Sequence, residues 1–290
     1  MRVLAAFFIA IPLCSLCFAA DRPRITGVDH VAFYTTNADG VRHLYGEVLG
    51  LASARPIEPG ALRYLIGSQW VGYGPAPDSN ATDRMDHIAF TTDNVEALKK
   101  YLESSGTTTT PLKEMKDHRR SFSIADPEGH KVEFVQQGRK HAPKPPPSAI
   151  SHHMIHAGFI VYHRDQEDHF YRDILGFHLY WHGGMKPERD DWVAMQVPDG
   201  TDWLEYMLNQ PDHPDLKTTG VMHHISLGVK DIKQAQATLE ARGWKSNQRE
   251  HAQLGRDGKW QLNLYDPDLT RAELMEPKPV QTPCCSPITQ

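Results

Sequence analysis

Hydrophobic residues in this chain fall into short runs separated by polar turns, and four of the runs resemble one another. They are "VDHVAF" (28–33), "MDHIAF" (85–90), "MIHAGF" (154–159) and "MHHISL" (222–227). Short runs rich in Val, Ile and Phe and bounded by turn residues predict β-strands. Each predicted strand carries a histidine at its third position: His30, His87, His156 and His224.

The segments after these strands show that the whole unit is repeated. Fifteen residues after His30 comes Tyr45 in "LYGEVLGL", and fifteen after His156 comes Tyr171 in "FYRDILGF". The other two units instead share "LESSG" and "LEARG" at that distance. Repeats at a fixed period indicate a modular architecture, so the order predicted here is A-B-A′-B′.

Within one unit the pattern predicts a strand, a helix and about three further strands. The stretch "NVEALKKYLESSG" (94–106) has apolar residues at helical spacing and a closing glycine. The runs "WVAMQV" (192–197) and "WLEYML" (203–208) flank the turn "PDGTD", which indicates a hairpin. Each unit is therefore predicted as a βαβββ module, and the chain as an α+β protein.

Proline-rich sequence divides the four modules into two pairs. The stretch "HAPKPPPSAI" at 141–150 is typical of a stiff linker. We predict an N-terminal domain at 21–140, a C-terminal domain at 151–278, each with two modules, and a disordered tail at 279–290.

Residues 1–20 have the layout of a secretory signal peptide: a basic start, an apolar run and small residues at the exit. We expect a periplasmic or secreted protein with no membrane contact after cleavage. Cleavage would remove Cys14 and Cys17 and leave the adjacent Cys284 and Cys285, which cannot form a disulfide framework.

Charge and composition narrow the classes of function. The 290 residues carry a formal net charge of −5, so nucleic acid is not an expected partner. The chain has 17 histidines, and histidine is the commonest metal ligand. A small-molecule ligand is expected, bound by a monomer or homodimer.

Two glutamates interrupt predicted strands that follow Asp-Pro turns. In "HKVEF" (130–134), alternation puts Glu133 opposite Val132 and Phe134, and "RAEL" (271–274) holds Glu273 in the same way. A buried carboxylate is costly unless it is paired or binds a metal. Asp29 and Asp86 precede the repeat histidines, and we expect them to face away from any shared site.

The βαβββ unit, the histidine on its first strand, the "FYRDILGF" helix end and the "DPxGxxxE" turn resemble the vicinal oxygen chelate superfamily. That superfamily includes glyoxalase I, type I extradiol dioxygenases, and fosfomycin and bleomycin resistance proteins. The resemblance covers nearly all of residues 25–277. It implies that the four modules form two half-barrel domains, each curved around a cleft.

The resemblance also implies a metal site built from the first and last strands of each module. In the C-terminal half it assigns the ligands His156, Glu205, His224 and Glu273, a set similar to that of bacterial glyoxalase I. These residue types suit one divalent ion: Ni, Zn, Co, Mn or Fe(II). A second candidate set is His30, His87 and Glu133; its fourth position, near residues 69–73, has no carboxylate.

Three functions are compatible with these residues. The first is an exported metal-dependent enzyme of glyoxalase type, in which the metal chelates a small carbonyl or enediolate substrate and Glu273 or Glu205 moves a proton as catalytic base. The alternative is an Fe(II) extradiol-type dioxygenase that opens catecholic rings, because two histidines and one carboxylate are the pattern of non-haem Fe(II) oxygenases. The second alternative is a metal-free protein that binds a small molecule.

Overall fold

A computed structural model describes residues 22–56, 58–115, 118–138, 145–246 and 250–289. The predicted signal peptide at 1–20 and most of the first half of the linker lie outside these residues. No helix in the described part of the chain is long and apolar enough to cross a membrane.

The N-terminal half forms one eight-stranded sheet. Its strands are β1 (Ile25–Thr35), β2 (Ala52–Ser53), β3 (Leu62–Ile66), β4 (Gln69–Pro75), β5 (Met85–Thr92), β6 (Lys113–Glu114), β7 (Arg120–Ala125) and β8 (Lys131–Gln136). They lie in the order β2-β3-β4-β1-β5-β8-β7-β6. The two modules meet where β1 and β5 pair antiparallel, so each contributes one side of the sheet.

The C-terminal half repeats this arrangement. Its strands are β9 (Met154–Ile160), β10 (His178–Gly183), β11 (Trp192–Gln196), β12 (Trp203–Met207), β13 (His224–Gly228), β14 (Gln253–Leu254), β15 (Trp260–Tyr265) and β16 (Arg271–Met275). Their order is β10-β11-β12-β9-β13-β16-β15-β14, with β9 and β13 antiparallel at the centre. The predicted α+β class and its βαβββ modules are confirmed, and neighbouring modules along the chain share a sheet.

The helices are short. They are α1 (Ala38–Val41), which continues as a π-helix (Arg42–Val48); α2 (Val95–Ser104); α3 (Arg164–Asp168), which continues as a π-helix (His169–Ile174); α4 (Leu216–Met222); and α5 (Ile232–Ala241). Helix α2 begins after Asn94, whose side chain accepts a hydrogen bond from the amide of Ala97. It buries Val95, Leu98 and Leu102 at helical spacing, as the sequence predicts.

Strand alternation separates the core from the face that carries the polar ligands. On β8, Val132 and Phe134 are buried in the apolar core, whereas Glu133 between them belongs to the opposite face. Phe134 packs there near Phe90 and Phe122. The same alternation along the other central strands leaves one face of each sheet for candidate ligands.

The structure corrects the expectation of a disordered tail, because residues 279–289 lie against the C-terminal sheet. The Cys284 amide donates to the Arg256 carbonyl, and the Thr289 amide donates to the Tyr180 carbonyl. The indole of Trp181 donates to the Cys284 carbonyl. Cys284 and Cys285 are bonded to each other through their sulfurs, which the sequence analysis did not foresee.

Candidate metal centres

Strand register brings His30, His87 and Glu133 together on one face of the N-terminal sheet. His30 Nε2 lies 2.9 Å from His87 Nε2. The Glu133 carboxylate oxygen Oε2 lies 3.3 Å from His30 Nε2 and 3.4 Å from His87 Nε2. The three donor atoms come from β1, β5 and β8, which are adjacent central strands. The second predicted ligand set is therefore assembled in three dimensions.

The spacing of these three donors fits a metal ion. Donor atoms bound at about 2.1 Å and at right angles to one another lie about 3 Å apart. Two imidazoles and one carboxylate on one side of an ion leave its other positions open, which is the arrangement of non-haem Fe(II) oxygenases. His30, His87 and Glu133 would therefore hold a divalent ion with room for further ligands.

Each histidine of this triad is oriented by the aspartate that precedes it. His30 Nδ1 lies 2.7 Å from Asp29 Oδ1, and His87 Nδ1 lies 2.7 Å from Asp86 Oδ2. A carboxylate at Nδ1 fixes the tautomer and leaves Nε2 as the metal donor. Sequence analysis assigned these aspartates no role, although the repeated "DH" dipeptide was the available signal.

The titration behaviour of the triad reflects the contacts between its carboxylates and its imidazoles. Burial opposes ionisation of Glu133, but hydrogen bonds with His30 and His87 outweigh it and hold its pKa well below the usual value. Burial alone would lower the pKa of His87; hydrogen bonds with Asp86 and Glu133 raise it instead. The site therefore attracts a proton, and by the same electrostatics a cation.

The triad borders a cleft, and the fourth ligand position carries a glycine. His30 lies opposite Trp70 and Ala32 opposite Gly72 on β4, just as His156 and Gly158 lie opposite Trp203 and Glu205. Gly72 is thus the counterpart of Glu205. The cleft has a volume of about 480 Å³. Its walls include Tyr34, Leu62, Trp70, Lys113, Met115 and Phe122.

The four predicted ligands of the C-terminal half also converge. His156 Nε2 lies 3.1 Å from His224 Nε2 and 3.3 Å from the Glu273 carboxylate. Glu205 lies 3.3 Å from His224 Nε2 and 3.9 Å from His156 Nε2. Gly158 makes this possible, since a Cβ at that position would lie 2.1 Å from the His224 ring.

Two basic side chains share this second site with its ligands. Arg271 Nη2 lies 2.8 Å from His224 Nε2, the atom that would bind a metal. Lys259 is fully buried, with Nζ 3.3 Å from Asp257 and 4.4 Å from the Trp203 ring centroid. Positive charge is therefore already present where a metal would have to enter.

Among the described residues, no carboxylate contacts the Nδ1 atom of either histidine in the second site. His224 Nδ1 donates to the Met222 carbonyl at 2.8 Å, and His156 Nδ1 has no hydrogen-bond partner. Burial lowers the pKa of both rings, helped at His224 by Arg271. Burial also raises the pKa of Glu205 and of Glu273 to about 7. The adjoining cavity has a volume of about 90 Å³.

The fold and the repeated ligand sets define a class of metal-chelating two-domain proteins. The model of the Glyoxalase/Bleomycin resistance protein/Dioxygenase superfamily matches residues 27–134 and 153–274, so the chain belongs to that superfamily. This confirms the predicted resemblance. Among curated proteins, none matches the sequence.

Solved structures of dioxygenases share the fold over most of the chain. Homoprotocatechuate 2,3-dioxygenase from Brevibacterium fuscum, in complex with 3,4-dihydroxyphenylacetate, matches with a TM-score of 0.67 and 16% identity, covering 88% of this chain and 81% of that one. The 2,3-dioxygenase LapB from Pseudomonas sp. KL28 matches with a TM-score of 0.64 and 18% identity, covering 90% and 96%. At such identities the similarity shows the fold.

Proposed function

We propose that this protein is a metal-dependent dioxygenase that opens catecholic rings, with its metal at His30, His87 and Glu133. The observation that carries the proposal is a complete set of two histidines and one carboxylate at the end of an open cleft. The dioxygenase folds of the similar structures support it. A bound Fe(II) would supply open positions for the two catechol oxygens and O₂.

The residues around the triad suit a planar and acidic substrate. Trp70 stacks on His30 with ring centroids 3.8 Å apart, so an aromatic wall stands beside the metal ligands. Arg63, Lys113 and Lys131 also line the cleft, and positive charge favours a deprotonated catechol or one that bears a carboxylate.

Tyr34 is the hydroxyl-bearing side chain best placed to contact a bound ring. It lines the cleft, and its hydroxyl donates to Asp86 Oδ1 at 2.7 Å. Burial and this hydrogen bond raise the pKa of Tyr34 to about 12, so the hydroxyl stays protonated at neutral pH. Tyr34 would therefore act as a hydrogen-bond donor and not as a base.

Fixed charge favours the N-terminal triad over the C-terminal set. Asp29, Asp86 and Glu133 surround two histidines, and Lys131 Nζ lies 3.6 Å from Asp86. In the C-terminal half, the Arg271 guanidinium lies 2.8 Å from His224 Nε2, and Lys259 Nζ lies 3.3 Å from Asp257. The Arg271 guanidinium repels a divalent ion from the nitrogen that would bind it.

A glyoxalase-type reaction remains the second candidate, because His156, Glu205, His224 and Glu273 do meet. It requires the Arg271 guanidinium to leave His224 before a metal binds. Metal content of Glu133→Gln and Glu273→Gln separates the candidates, since a protein with metal at neither centre would lose metal in neither variant. Export of the mature protein also stays a prediction, which the mass of the processed chain would test.

The test is oxygen uptake after anaerobic loading of the metal-free protein with Fe(II). With catechol and 3,4-dihydroxyphenylacetate, we expect one O₂ consumed per ring opened, together with absorbance of the ring-fission product. Glu133→Gln should lose its iron and at least about 100-fold in rate, because it removes a ligand. The matched variant Glu273→Gln should keep both.

No oxygen uptake with any catechol, at one iron per chain, would overturn the proposed reaction. Loss of iron from Glu273→Gln with retention by Glu133→Gln would instead show that the site has been assigned to the wrong half.

A further inference from the structure

A third group of ligand-type side chains lies where the two halves of the chain meet, outside both candidate centres. Asp126 and His130 belong to the turn between β7 and β8, and Glu167 belongs to α3 of the other half. One donor atom from each lies within 4.8 Å of the others. His130 Nδ1 lies 2.8 Å from Asp126 Oδ2.

The charged groups that act most strongly on Glu167 are all carboxylates: Asp126, Glu128 and Asp168. Its side chain is fully buried; one carboxylate oxygen accepts the Glu128 amide at 3.0 Å, and the other has no hydrogen-bond partner among the described residues. Burial, with the nearby Asp126 carboxylate, raises the pKa of Glu167 to about 9. An unpaired buried carboxylate is costly, so either a proton or a cation must compensate it.

A second buried polar atom close to this group is also unsatisfied. The Tyr206 hydroxyl has no hydrogen-bond partner in the described part of the chain, although the residue is fully buried. Asp168, Glu167 and Asp126 are near enough to Tyr206 to raise its pKa further, beyond the effect of burial. Tyr171 donates to Asp126 Oδ2 at 3.2 Å. Two unsatisfied oxygens near a carboxylate pair point to a missing ligand.

The internal repeat provides a control for this argument. Glu167 lies 167 − 156 = 11 residues after His156, and Val41 lies 41 − 30 = 11 residues after His30. Thr270 stands four residues after Asp266, where His130 follows Asp126. The equivalent junction thus has neither the glutamate nor the histidine, so a buried charge at this position is not needed to build the fold.

We propose that Asp126, His130 and Glu167 bind a divalent cation that accepts nitrogen and oxygen ligands, such as Zn²⁺ or Mn²⁺, and that this cation links the two halves. One imidazole and two carboxylates suit such an ion better than Ca²⁺, which takes oxygen ligands. The His130 side chain is 21% exposed, so the group borders on solvent.

The test is equilibrium dialysis of the metal-free full chain against Zn²⁺ or Mn²⁺, followed by elemental analysis. Glu167→Gln keeps the shape of the side chain, and Glu167→Val installs the residue of the equivalent junction. Both should bind one equivalent fewer than the wild type. The exposed control Glu188→Gln should bind as the wild type does.

Equal metal content in wild type and Glu167→Gln would overturn the proposal and leave a proton on Glu167 as the compensating charge. Should both variants fail to fold, anomalous diffraction from Zn²⁺-soaked wild-type crystals decides the question. A peak between the three side chains is expected, and its absence would contradict the site.

Discussion

The two halves of the molecule place the same ligand types at the same register positions but surround them differently. Each half aligns two histidines and a carboxylate from its central strands. In the N-terminal half, aspartates contact both histidines and a glycine stands at the fourth position. In the C-terminal half, Arg271 contacts His224 and Glu205 fills that position.

This difference teaches that a set of ligands does not by itself make a metal centre. A divalent ion needs unbalanced negative charge, donor atoms held in the correct tautomer and space for substrate. The N-terminal half has all three. The C-terminal half has the ligand-type side chains. It differs in having fixed cations beside them and only a small adjoining cavity. On the proposed function, the first half holds the metal, and the second retains the ligand geometry around a fixed guanidinium and a small cavity.

For the aspartates that orient the ligand histidines, the largest expected effect is on metal affinity. Asp29→Asn or Asp86→Asn should weaken Fe(II) or Zn²⁺ binding about 10- to 100-fold, because each loses the carboxylate that orients a histidine and raises its basicity. Titration of the metal-free protein with a competing chelator measures the change.

Asp93→Asn is the matched control for these two substitutions. It removes the same charge from the same half, at an exposed ion pair with Arg24, and should leave the affinity unchanged. An unaltered affinity in Asp29→Asn and Asp86→Asn alike would contradict the distinction drawn between the halves.

A smaller effect is expected on the free energy of unfolding of the metal-free protein, and its sign differs between the two halves. The pKa of Glu133 is depressed, so its ionised form stabilises the folded protein at any pH above the pKa of this group in the unfolded chain. Glu133→Gln should therefore lower the free energy of unfolding by about 2 kcal/mol at pH 8 and also at pH 5. The pKa of Glu205 is raised to about 7, so its stabilising contribution is present at low pH and lost as pH rises through 7.

Glu205→Gln should therefore stabilise the metal-free protein by about 2 kcal/mol at pH 8, with the gain fading towards pH 5. Denaturant unfolding in the presence of a chelator measures both variants, with the exposed Glu240→Gln as the neutral control. The same sign for Glu133→Gln and Glu205→Gln at pH 8 would show that the fold compensates the charge of the two carboxylates equally well.

Sequence periodicity was sufficient for the modules and for the positions of the repeat histidines and glutamates along the strands. The repeated histidine runs and the alternation around Glu133 and Glu273 depend on local spacing, which the chain displays directly. The choice between the halves depends on neighbours from other strands. Arg271 reaches His224 only through the pairing of β13 with β16, and no local pattern encodes that contact.

Other features were missed for the same reason. Asp29 and Asp86 follow the alternation rule, but their carboxylates reach the adjacent ring nitrogen, which strand alternation alone does not describe. The group around Glu167 joins residues from both halves. The tail was predicted as disordered from its proline content, whereas its path is set by contacts with β10 and with the turn before β15.

The smallest effect concerns the two Asp-Pro turns that begin the ligand-bearing last strands. Gly129 has a φ of 93°, and Leu269 occupies the equivalent position with a φ of 67°. Left-handed backbone costs a residue with a side chain about 1 to 2 kcal/mol. Gly129→Ala, whose Cβ would meet no neighbouring atom within 4 Å, should therefore destabilise the protein by about 1 kcal/mol through conformation alone.

Leu269→Gly tests the same cost from the other turn. Glycine relieves the strain, but the substitution also removes a half-buried side chain and adds chain entropy in the unfolded state, so the net change should lie within about 0.5 kcal/mol of zero. Denaturant unfolding of both variants at one pH gives the comparison. If Gly129→Ala leaves the free energy of unfolding unchanged, a side chain does not strain the left-handed turn. Leu269 in the second copy would then carry no conformational cost.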